Sequence, residues 1–350
     1  MSQSNPTTFD GQNERPGPSH VVINKVTDVS GTQFSVSDNR QWYTNLGRPQ
    51  RTDMARAYLE RILQVIKNKD IVVQRGIMAT EKIDCTQLPV YDTAMTGEGA
   101  SRTQLSCYLY LFRIDCLNAA LAVRRRFPAA DTRIAVQNLF DRKLVGGEFT
   151  IGSDRQEESI VVRTTLYCNL SERQLYGEQN PLQSNELIYA PNVLVFSMVP
   201  GLLLPAKQWF YVDVISMPAQ KYPNGIEKNQ KANDKVEYRQ ARDRQIMKDK
   251  ISYVLRAAVS KQCSRVVLSP FGCGIFGHPK KAVANLIGEV FTETDWGSLG
   301  LKQIIVAVLD DADGAPTWNT FKNELSGYAG VEIDIDGKIF AQWRYETHSS

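Results

Sequence analysis

The chain has 350 residues, 42% of them hydrophobic, which is enough to bury the core of one large domain or two ordinary ones. Its 41 basic and 38 acidic residues leave a formal charge of +3, so no strongly basic surface for nucleic acids or anionic membranes is indicated. No run approaches the roughly 20 apolar residues of a membrane span, and no secretory signal pattern opens the sequence.

Cysteine and histidine usage disfavours several kinds of site. The six cysteines lack CxxC spacing and mostly lie in apolar runs, which predicts neither disulfides nor a zinc site and favours a reducing compartment, the cytoplasm or nucleus. Of the three histidines, His20 and His348 lie near the chain ends. Serine or cysteine hydrolases need a positioned imidazole or a substitute base, so those classes are disfavoured. We expect no metal, no cofactor and a monomeric protein.

The first elements are predicted from local patterns. Residues 1–20 are rich in Ser, Asn, Pro and Gly, which predicts a disordered tail. Apolar residues at helical spacing predict a helix that begins at Thr52 and ends in a polar run. Runs of β-branched and aromatic residues predict strands at 71–73 and 105–114, and Asp115 is expected to cap the short helix that follows.

The rest of the chain alternates predicted strands and helices. Strands are predicted at 133–139, 193–196, 210–216, 265–269 and 303–309, and helices at 243–259, 279–291 and 317–325. This alternation predicts an α/β fold with a mixed, mainly parallel sheet and helices on both faces, preceded by an N-terminal helical extension. The polar segment 221–235 is interpreted as a surface loop, so residues 50–345 are treated as one domain. Its parts are an extension and start of the domain at 21–131, a core at 132–330 and a C-terminal strand or tail at 331–350.

Two segments in the middle of the chain are candidates for a site. Asn138 ends a predicted strand and leads to Gly146 and Gly147, where the backbone could approach a ligand closely, although a plain turn is the alternative. The second segment is Gln156-Glu157-Glu158, for which a solvated helix face is the alternative.

A third segment, SPFGCGIFGHP at 269–279, lies between a predicted strand and a helix whose first position is predicted to be Pro279. It contains three glycines, at positions Gly272, Gly274 and Gly277. Free N–H groups before a helix N-terminus suit an anion such as a diphosphate. Phe276 could pack on a sugar or a base, and His278 is interpreted as a helix-start residue without a catalytic role.

These three segments, in this order, resemble the signature of poly(ADP-ribose) glycohydrolase catalytic domains, particularly the microbial type. That family has a GGG, six to eight residues, a QEE, and later a GCG-hydrophobic-Phe-Gly loop. Shorter strings extend the similarity over roughly residues 50–330, and they are DCLNAA at 115–120, AVQN at 135–138, RTTLY at 163–167, IYAPNV at 188–193 and VDVISMPA at 212–219.

The resemblance implies a macrodomain-like fold that binds ADP-ribose or poly(ADP-ribose) and acts on the polymer or on ADP-ribosylated proteins. It makes Glu158 the acid/base carboxylate, Glu157 the group that orients the ribose and Gln156 the support of the loop. The remaining substrate-binding positions that it implies are Asn138, Gly146 and Gly147 near the distal ribose, Gly272, Gly274, Ile275 and Gly277 on the diphosphate, and Phe276 against the distal ribose.

The chemistry agrees with these roles. Cleavage of a ribose–ribose bond passes through an oxocarbenium-like state and requires a proton on the leaving oxygen. A glutamate near an apolar ring or a diphosphate would have a raised pKa. Because adjacent side chains leave one backbone in different directions, the two glutamates are expected to divide into one acid/base and one orienting group.

The sequence departs from the family pattern at the third glycine, which is Glu148 here. Its carboxylate is expected to add bulk and like-charge repulsion, on the order of 1 kcal/mol if partly buried. Gln137, Leu139 and Phe140 also replace the usual residues, so the pocket shape is expected to differ. Besides the glycohydrolase, two alternatives stay open: a reader that binds ADP-ribose without turnover, and a structural protein on a decayed scaffold.

Overall fold

The computed structural model describes residues 26–28, 33–34, 47–67, 71–91, 107–127, 133–199, 202–221, 237–310, 316–326, 328, 330–333 and 339–342. The predicted tail at 1–20 and nearly all of the predicted loop at 221–235 lie outside these residues. No helix in the described ranges is long and apolar enough to cross a membrane.

The described helices are α1 Arg48–Lys67, α2 Ile71–Met78, α3 Cys116–Arg126, α4 Gln156–Val161, α5 Leu166–Glu172, α6 Ala241–Ser260, α7 Lys280–Glu293 and α8 Pro316–Leu325. The strands are β1 Val26–Asp28, β2 Gln33–Phe34, β3 Glu81–Asp84, β4 Tyr108–Phe112, β5 Ile134–Asn138, β6 Glu186–Val195, β7 Ser197–Val199, β8 Leu202–Leu203, β9 Phe210–Ser216, β10 Arg265–Leu268, β11 Gln303–Ala307, β12 Gly330–Ile333 and β13 Ile339–Gln342.

Nine strands form one sheet in the order β13-β12-β4-β11-β10-β5-β9-β6-β3. The six strands from β12 to β9 in this order are parallel to one another. At one edge β13 pairs antiparallel with β12, and at the other edge β6 and β3 continue the sheet in antiparallel pairings. A smaller sheet has the order β2-β1-β8-β7. The prediction of a mixed, mainly parallel sheet is therefore confirmed.

Helices cover both faces of the large sheet, as predicted. Ile134 and Val136 of β5 pack in the core that also contains residues of α1 to α5, whereas Ala135 between them packs with residues of α6 to α8. Successive strand residues point to opposite faces. Because helices cover both faces of the sheet, neither face of a central strand meets water, and these strands are runs of buried β-branched residues.

Two predicted strands are corrected by the structure. Ile71–Val73 opens α2, in which Val73, Gly76 and Ile77 are buried at helical spacing. A Cβ atom on Gly76 would lie 2.4 Å from the carbonyl oxygen of Pro191 in β6, so packing against the sheet outweighs the local β propensity. The predicted strand at 193–196 covers only the last three residues of the ten-residue β6, which begins at Glu186 and ends at Val195.

Candidate active site

The carboxyl ends of the neighbouring strands β5 and β10 are joined by two glutamine side chains. Gln156 Nε2 donates to the carbonyl oxygen of Gln137 at 2.7 Å, and Gln156 Oε1 accepts from the N–H of Leu139 at 2.7 Å. Gln137 Oε1 in turn accepts from the N–H of Ser269 at 3.1 Å. Because Leu139 and Ser269 begin the two glycine-containing loops, these bonds hold both loops beside α4.

Glu157 and Glu158 lie in the first turn of α4 and are 3% and 2% exposed. The alternative of a solvated helix face is therefore wrong. Glu157 Oε2 accepts from the N–H of Asp141 at 2.7 Å, and Glu158 Oε1 accepts from the N–H of Glu148 at 3.0 Å. Each carboxylate thus holds one end of the loop that contains Gly146 and Gly147.

Both carboxylates face Gly147, which has a φ of 65°. A Cβ atom there would lie 2.6 Å from Glu158 Oε1 and 3.1 Å from Glu157 Oε2. The expectation that the two side chains point in different directions is therefore wrong. The loop folds over the first turn of α4, and its N–H groups bind both carboxylates on the same side.

The remaining carboxylate oxygens, Glu157 Oε1 and Glu158 Oε2, are buried without a hydrogen-bond partner. Gln137 Nε2 and Asn138 Oδ1 at the end of β5 are likewise unpartnered, although Asn138 Nδ2 donates to Ser216 Oγ at 3.1 Å. Buried polar atoms without partners are uncommon in folded proteins. Their concentration here suits a ligand that carries several hydroxyl groups.

Burial raises the pKa of Glu157 well above its usual value, and the N–H of Asp141 offsets this only in part. The negative charges of Glu158 and Asp141 raise it further. Glu157 therefore keeps its proton to a higher pH than an exposed glutamic acid does, and in that protonated form its carboxyl group can donate as well as accept a hydrogen bond.

Glu148, which stands at the family's third glycine, fits the loop without strain. Its φ of −97° is open to any residue, and only its backbone N–H is bonded to Glu158. One oxygen of its carboxylate lies 3.7 Å from Arg155 Nη2. The Glu148 carboxylate thus has a cation as its neighbour, which reduces the repulsion that we expect between it and an anionic ligand.

Gly147→Ala and Glu148→Ala are expected to differ sharply in activity. A methyl group at position 147 would collide with Glu158 Oε1 and favour a different φ, whereas position 148 accepts a side chain already. We expect Gly147→Ala to lower kcat by on the order of 10²-fold and Glu148→Ala by less than about threefold. Steady-state kinetics on poly(ADP-ribose) measure both, and equal losses would contradict this account of the loop.

The GCGIFG loop follows β10 and turns back on itself. The N–H of Gly277 donates to the carbonyl oxygen of Gly274 at 3.0 Å. A Cβ atom on Gly274 would meet nothing within 4 Å, so the space beside this glycine is open to a ligand. Ile275 is 55% exposed, and Phe276 is half-buried with Lys221 Nζ 5.6 Å from its ring centroid. These are the positions at which an anionic ligand could meet backbone N–H groups.

His278 anchors this loop and is not a simple helix-start residue, because α7 begins at Lys280 after an extended Pro279. The N–H of His278 donates to the carbonyl oxygen of Gly272 at 3.1 Å. Its ring lies 2.7 Å from the carbonyl oxygen of Gln220 through Nε2 and 2.7 Å from the Tyr238 hydroxyl through Nδ1. A carbonyl only accepts, so Nε2 carries the proton and Nδ1 accepts from Tyr238.

Acid is expected to destabilise the protein through His278. Burial lowers the pKa of His278 from 6.5 to about 4, so the unfolded chain binds a proton more readily between these values. The stabilising contribution is present above pH 6.5 and is lost as the pH falls towards 4, by on the order of 3 kcal/mol in all. His278→Gln, which cannot titrate, should show a smaller fall in the free energy of unfolding between pH 7 and pH 4.5. Urea titrations measure this, and an identical fall in both proteins would contradict it.

A buried ion pair between Arg163 and Asp115 holds the C-terminal end of α4. This pair was not identified from the sequence. Arg163 Nη1 donates to Asp115 Oδ1 and to the carbonyl oxygen of Met198, both at 2.9 Å, and Arg163 Nε donates to the carbonyl oxygen of Ser159 at 2.8 Å. Asp115 also caps α3, as predicted. Burial opposes ionisation of Asp115, but Arg163 and Asn118 outweigh it and lower the pKa of that carboxyl. Both partners lie in strings of the family resemblance, Asp115 in DCLNAA and Arg163 in RTTLY, but nothing in the sequence indicated that they pair.

Within the described ranges, no three His, Cys, Asp or Glu side chains are grouped so as to hold a metal ion. All six cysteines are buried and unpaired.

Comparisons with known proteins find one similar family model and a group of similar solved structures. The model of the microbial-type PARG catalytic domain, where PARG stands for poly(ADP-ribose) glycohydrolase, matches residues 60–198. No curated protein matches the sequence. The solved poly(ADP-ribose) glycohydrolase of Thermomonospora curvata is 21% identical, with a TM-score of 0.54 over 86% of this chain and 93% of that chain.

Two structures with bound ligands are similar to the same degree. The Thermomonospora curvata enzyme bound to the inhibitor ADP-HPD has a TM-score of 0.53 at 21% identity, over 86% of this chain and 93% of that one. The Deinococcus radiodurans enzyme in complex with ADP-ribose has a TM-score of 0.54 at 21% identity, over 72% of this chain and 96% of that one. The similarity in fold reaches beyond the segment at residues 60–198, which is the part of the chain that matches the microbial-type poly(ADP-ribose) glycohydrolase catalytic domain model.

Proposed function

We propose that this protein is a poly(ADP-ribose) glycohydrolase that releases ADP-ribose by acid/base catalysis. The observation that carries the proposal is the pair of buried carboxylates, Glu157 and Glu158, that lie beside Gly147. In each of them one oxygen accepts a hydrogen bond from the loop backbone and the other has no hydrogen-bond partner. The match of residues 60–198, which include the pair, to the microbial-type catalytic domain model supports the assignment.

Glu158 is proposed as the acid/base group. Its Oε1 atom is held by the N–H of Glu148, which leaves Oε2 to transfer a proton. As the bond between the anomeric carbon and the leaving ribose oxygen breaks, that oxygen takes the proton from Glu158. A water molecule then adds to the oxocarbenium-like carbon and returns a proton to Glu158. The net reaction consumes one water for each ADP-ribose released.

Glu157 and the two loops are proposed to bind and orient the substrate. A protonated Glu157 can donate to one ribose hydroxyl, and the free Oδ1 of Asn138 can accept from another. The backbone around Gly274 and the partly exposed Phe276 suit the diphosphate and a sugar face. We propose the polymer as the preferred substrate, with protein-linked ADP-ribose as the second possibility.

A reader that binds ADP-ribose without turnover is the second candidate, and the glycine-to-Glu148 change is the observation that favours it. The ion pair between Glu148 and Arg155 weakens that argument, because the side chain has a partner outside the carboxylate pair.

The deciding experiment combines turnover and binding on the purified chain. We expect free ADP-ribose to be released from poly(ADP-ribose) and calorimetry to detect ADP-ribose binding. Binding without release would identify a reader, and Glu148→Gly would then be the variant to assay for recovered turnover. Absence of both would overturn the assignment, and mono-ADP-ribosylated protein assayed in parallel separates the two substrate classes.

A further inference from the structure

Helix α1 lies against the segment that connects the glycine loop to α4, residues 148–155, here named the connecting segment. Arg51 Nε donates to the carbonyl oxygen of Gly152 at 2.7 Å, and Arg51 Nη1 lies 3.7 Å from Asp154 Oδ2. The Arg51 side chain is only 11% exposed. This mostly buried arginine therefore joins α1 to the connecting segment, with the partly exposed Asp154 at the outer end of the contact.

The two backbones also touch directly. Gly152 has a φ of 76°, and a Cβ atom there would lie 2.4 Å from the carbonyl oxygen of Arg48. The same atom would lie 3.1 Å from Thr52 Oγ1. At Gly152, therefore, no side chain fits between the connecting segment and the backbone of α1.

A second contact from α1 lies beyond α4. The Tyr58 hydroxyl donates to the carbonyl oxygen of Thr164 at 3.2 Å, and its ring stacks on Phe196 with centroids 5.2 Å apart. Helix α4 has only six residues and no side-chain cap, so it has little stability of its own. The positions of Glu157 and Glu158 therefore depend on what holds the chain before and after α4.

We propose that Arg51 is a positioning residue, which keeps the connecting segment and hence Glu158 in place for proton transfer. The inference rests on the proposed glycohydrolase function. All of these contacts from α1 come from residues 48–58, before residue 60, where the family match begins. Arg51 acts through the backbone at Gly152, so its loss should affect kcat more than substrate binding.

The test compares Arg51→Met with Arg51→Lys and with Arg56→Met on the same helix. Arg56 is the matched control because its side chain is 76% exposed and its one ion-pair partner among the described residues, Asp53, is 77% exposed. We expect Arg51→Met to lower kcat by about 10–100-fold while KM and the Kd for ADP-ribose change less than about threefold. Arg51→Lys should recover most of the rate, because an ammonium can donate to Gly152 and pair with Asp154. Arg56→Met should have the same kcat, KM and Kd for ADP-ribose as the unmodified protein.

Amide hydrogen exchange of peptides over 148–158 gives a readout that needs no turnover. Arg51→Met should exchange faster there and Arg56→Met should not, with thermal midpoints confirming that each variant folds. Unchanged kcat, a rise in KM alone, or slower turnover without faster exchange would overturn the positioning role. If the unmodified protein releases no ADP-ribose, the proposed function fails, and the exchange comparison still decides whether Arg51 holds the segment.

Discussion

Glu158→Gln is expected to slow the release of ADP-ribose by on the order of 10²–10⁴-fold while the Kd for ADP-ribose changes by less than about threefold. Glutamine keeps an oxygen that can accept from the N–H of Glu148, so the loop should retain its shape. It has no proton to give to the leaving oxygen. Steady-state kinetics on poly(ADP-ribose) and calorimetry with ADP-ribose measure the two quantities.

Glu157→Gln is the matched control for this substitution. Because burial raises the pKa of Glu157 and so disfavours its charged form, a neutral amide is expected to be tolerated at this position. Glu157→Gln should therefore lower the rate of ADP-ribose release less than Glu158→Gln does, by on the order of tenfold. If the two substitutions lowered the rate equally, the assignment of Glu158 as the acid/base group and Glu157 as the orienting group would be wrong.

Arg163→Met is expected to lower the free energy of unfolding by about 3–5 kcal/mol, because it leaves the buried Asp115 charge without its cation. The substitution also removes the bonds that Arg163 donates to the carbonyl oxygens of Met198 and Ser159, although Met198 still accepts from Asn118 Nδ2 at 3.3 Å. Chemical denaturation at pH 7 measures the change. Adding Asp115→Asn should restore part of the loss, since asparagine can still cap α3 and carries no charge.

Arg155→Met provides a control for the same change of side chain. Arg155 is 46% exposed and lies 3.7 Å from Glu148, so its removal should cost no more than about 1 kcal/mol. A similar loss in Arg155→Met and Arg163→Met would mean that the buried pair does not stabilise the fold in the way described.

Much of the sheet could be predicted because its central strands are buried on both faces. The runs in β5, β9, β10 and β11 are apolar and β-branched, a pattern that sequence reasoning detects directly. The same signal failed at Ile71–Val73, where contact with β6 decides the conformation. Local propensity cannot report a contact with a strand more than a hundred residues away.

The site was located from motifs, but its geometry was not. Two adjacent glutamates look the same in a sequence whether they are solvated or buried, and their burial here depends on N–H groups of a loop 10 to 16 residues away. The pairing of Arg163 with Asp115 spans 48 residues and leaves no local trace. The neutral state of His278 likewise depends on Gln220 and Tyr238, which are 58 and 40 residues distant.

The hydrogen bond from the Glu148 N–H to Glu158 determines which amino acids the glycine loop tolerates at positions 147 and 148. What the carboxylate needs at position 148 is an N–H group, which every amino acid except proline supplies. Position 147 needs the absence of a side chain, which glycine alone offers. Sequences that retain the second glycine and vary at the third should therefore keep the loop intact, whereas proline at the third position should detach it from the acid.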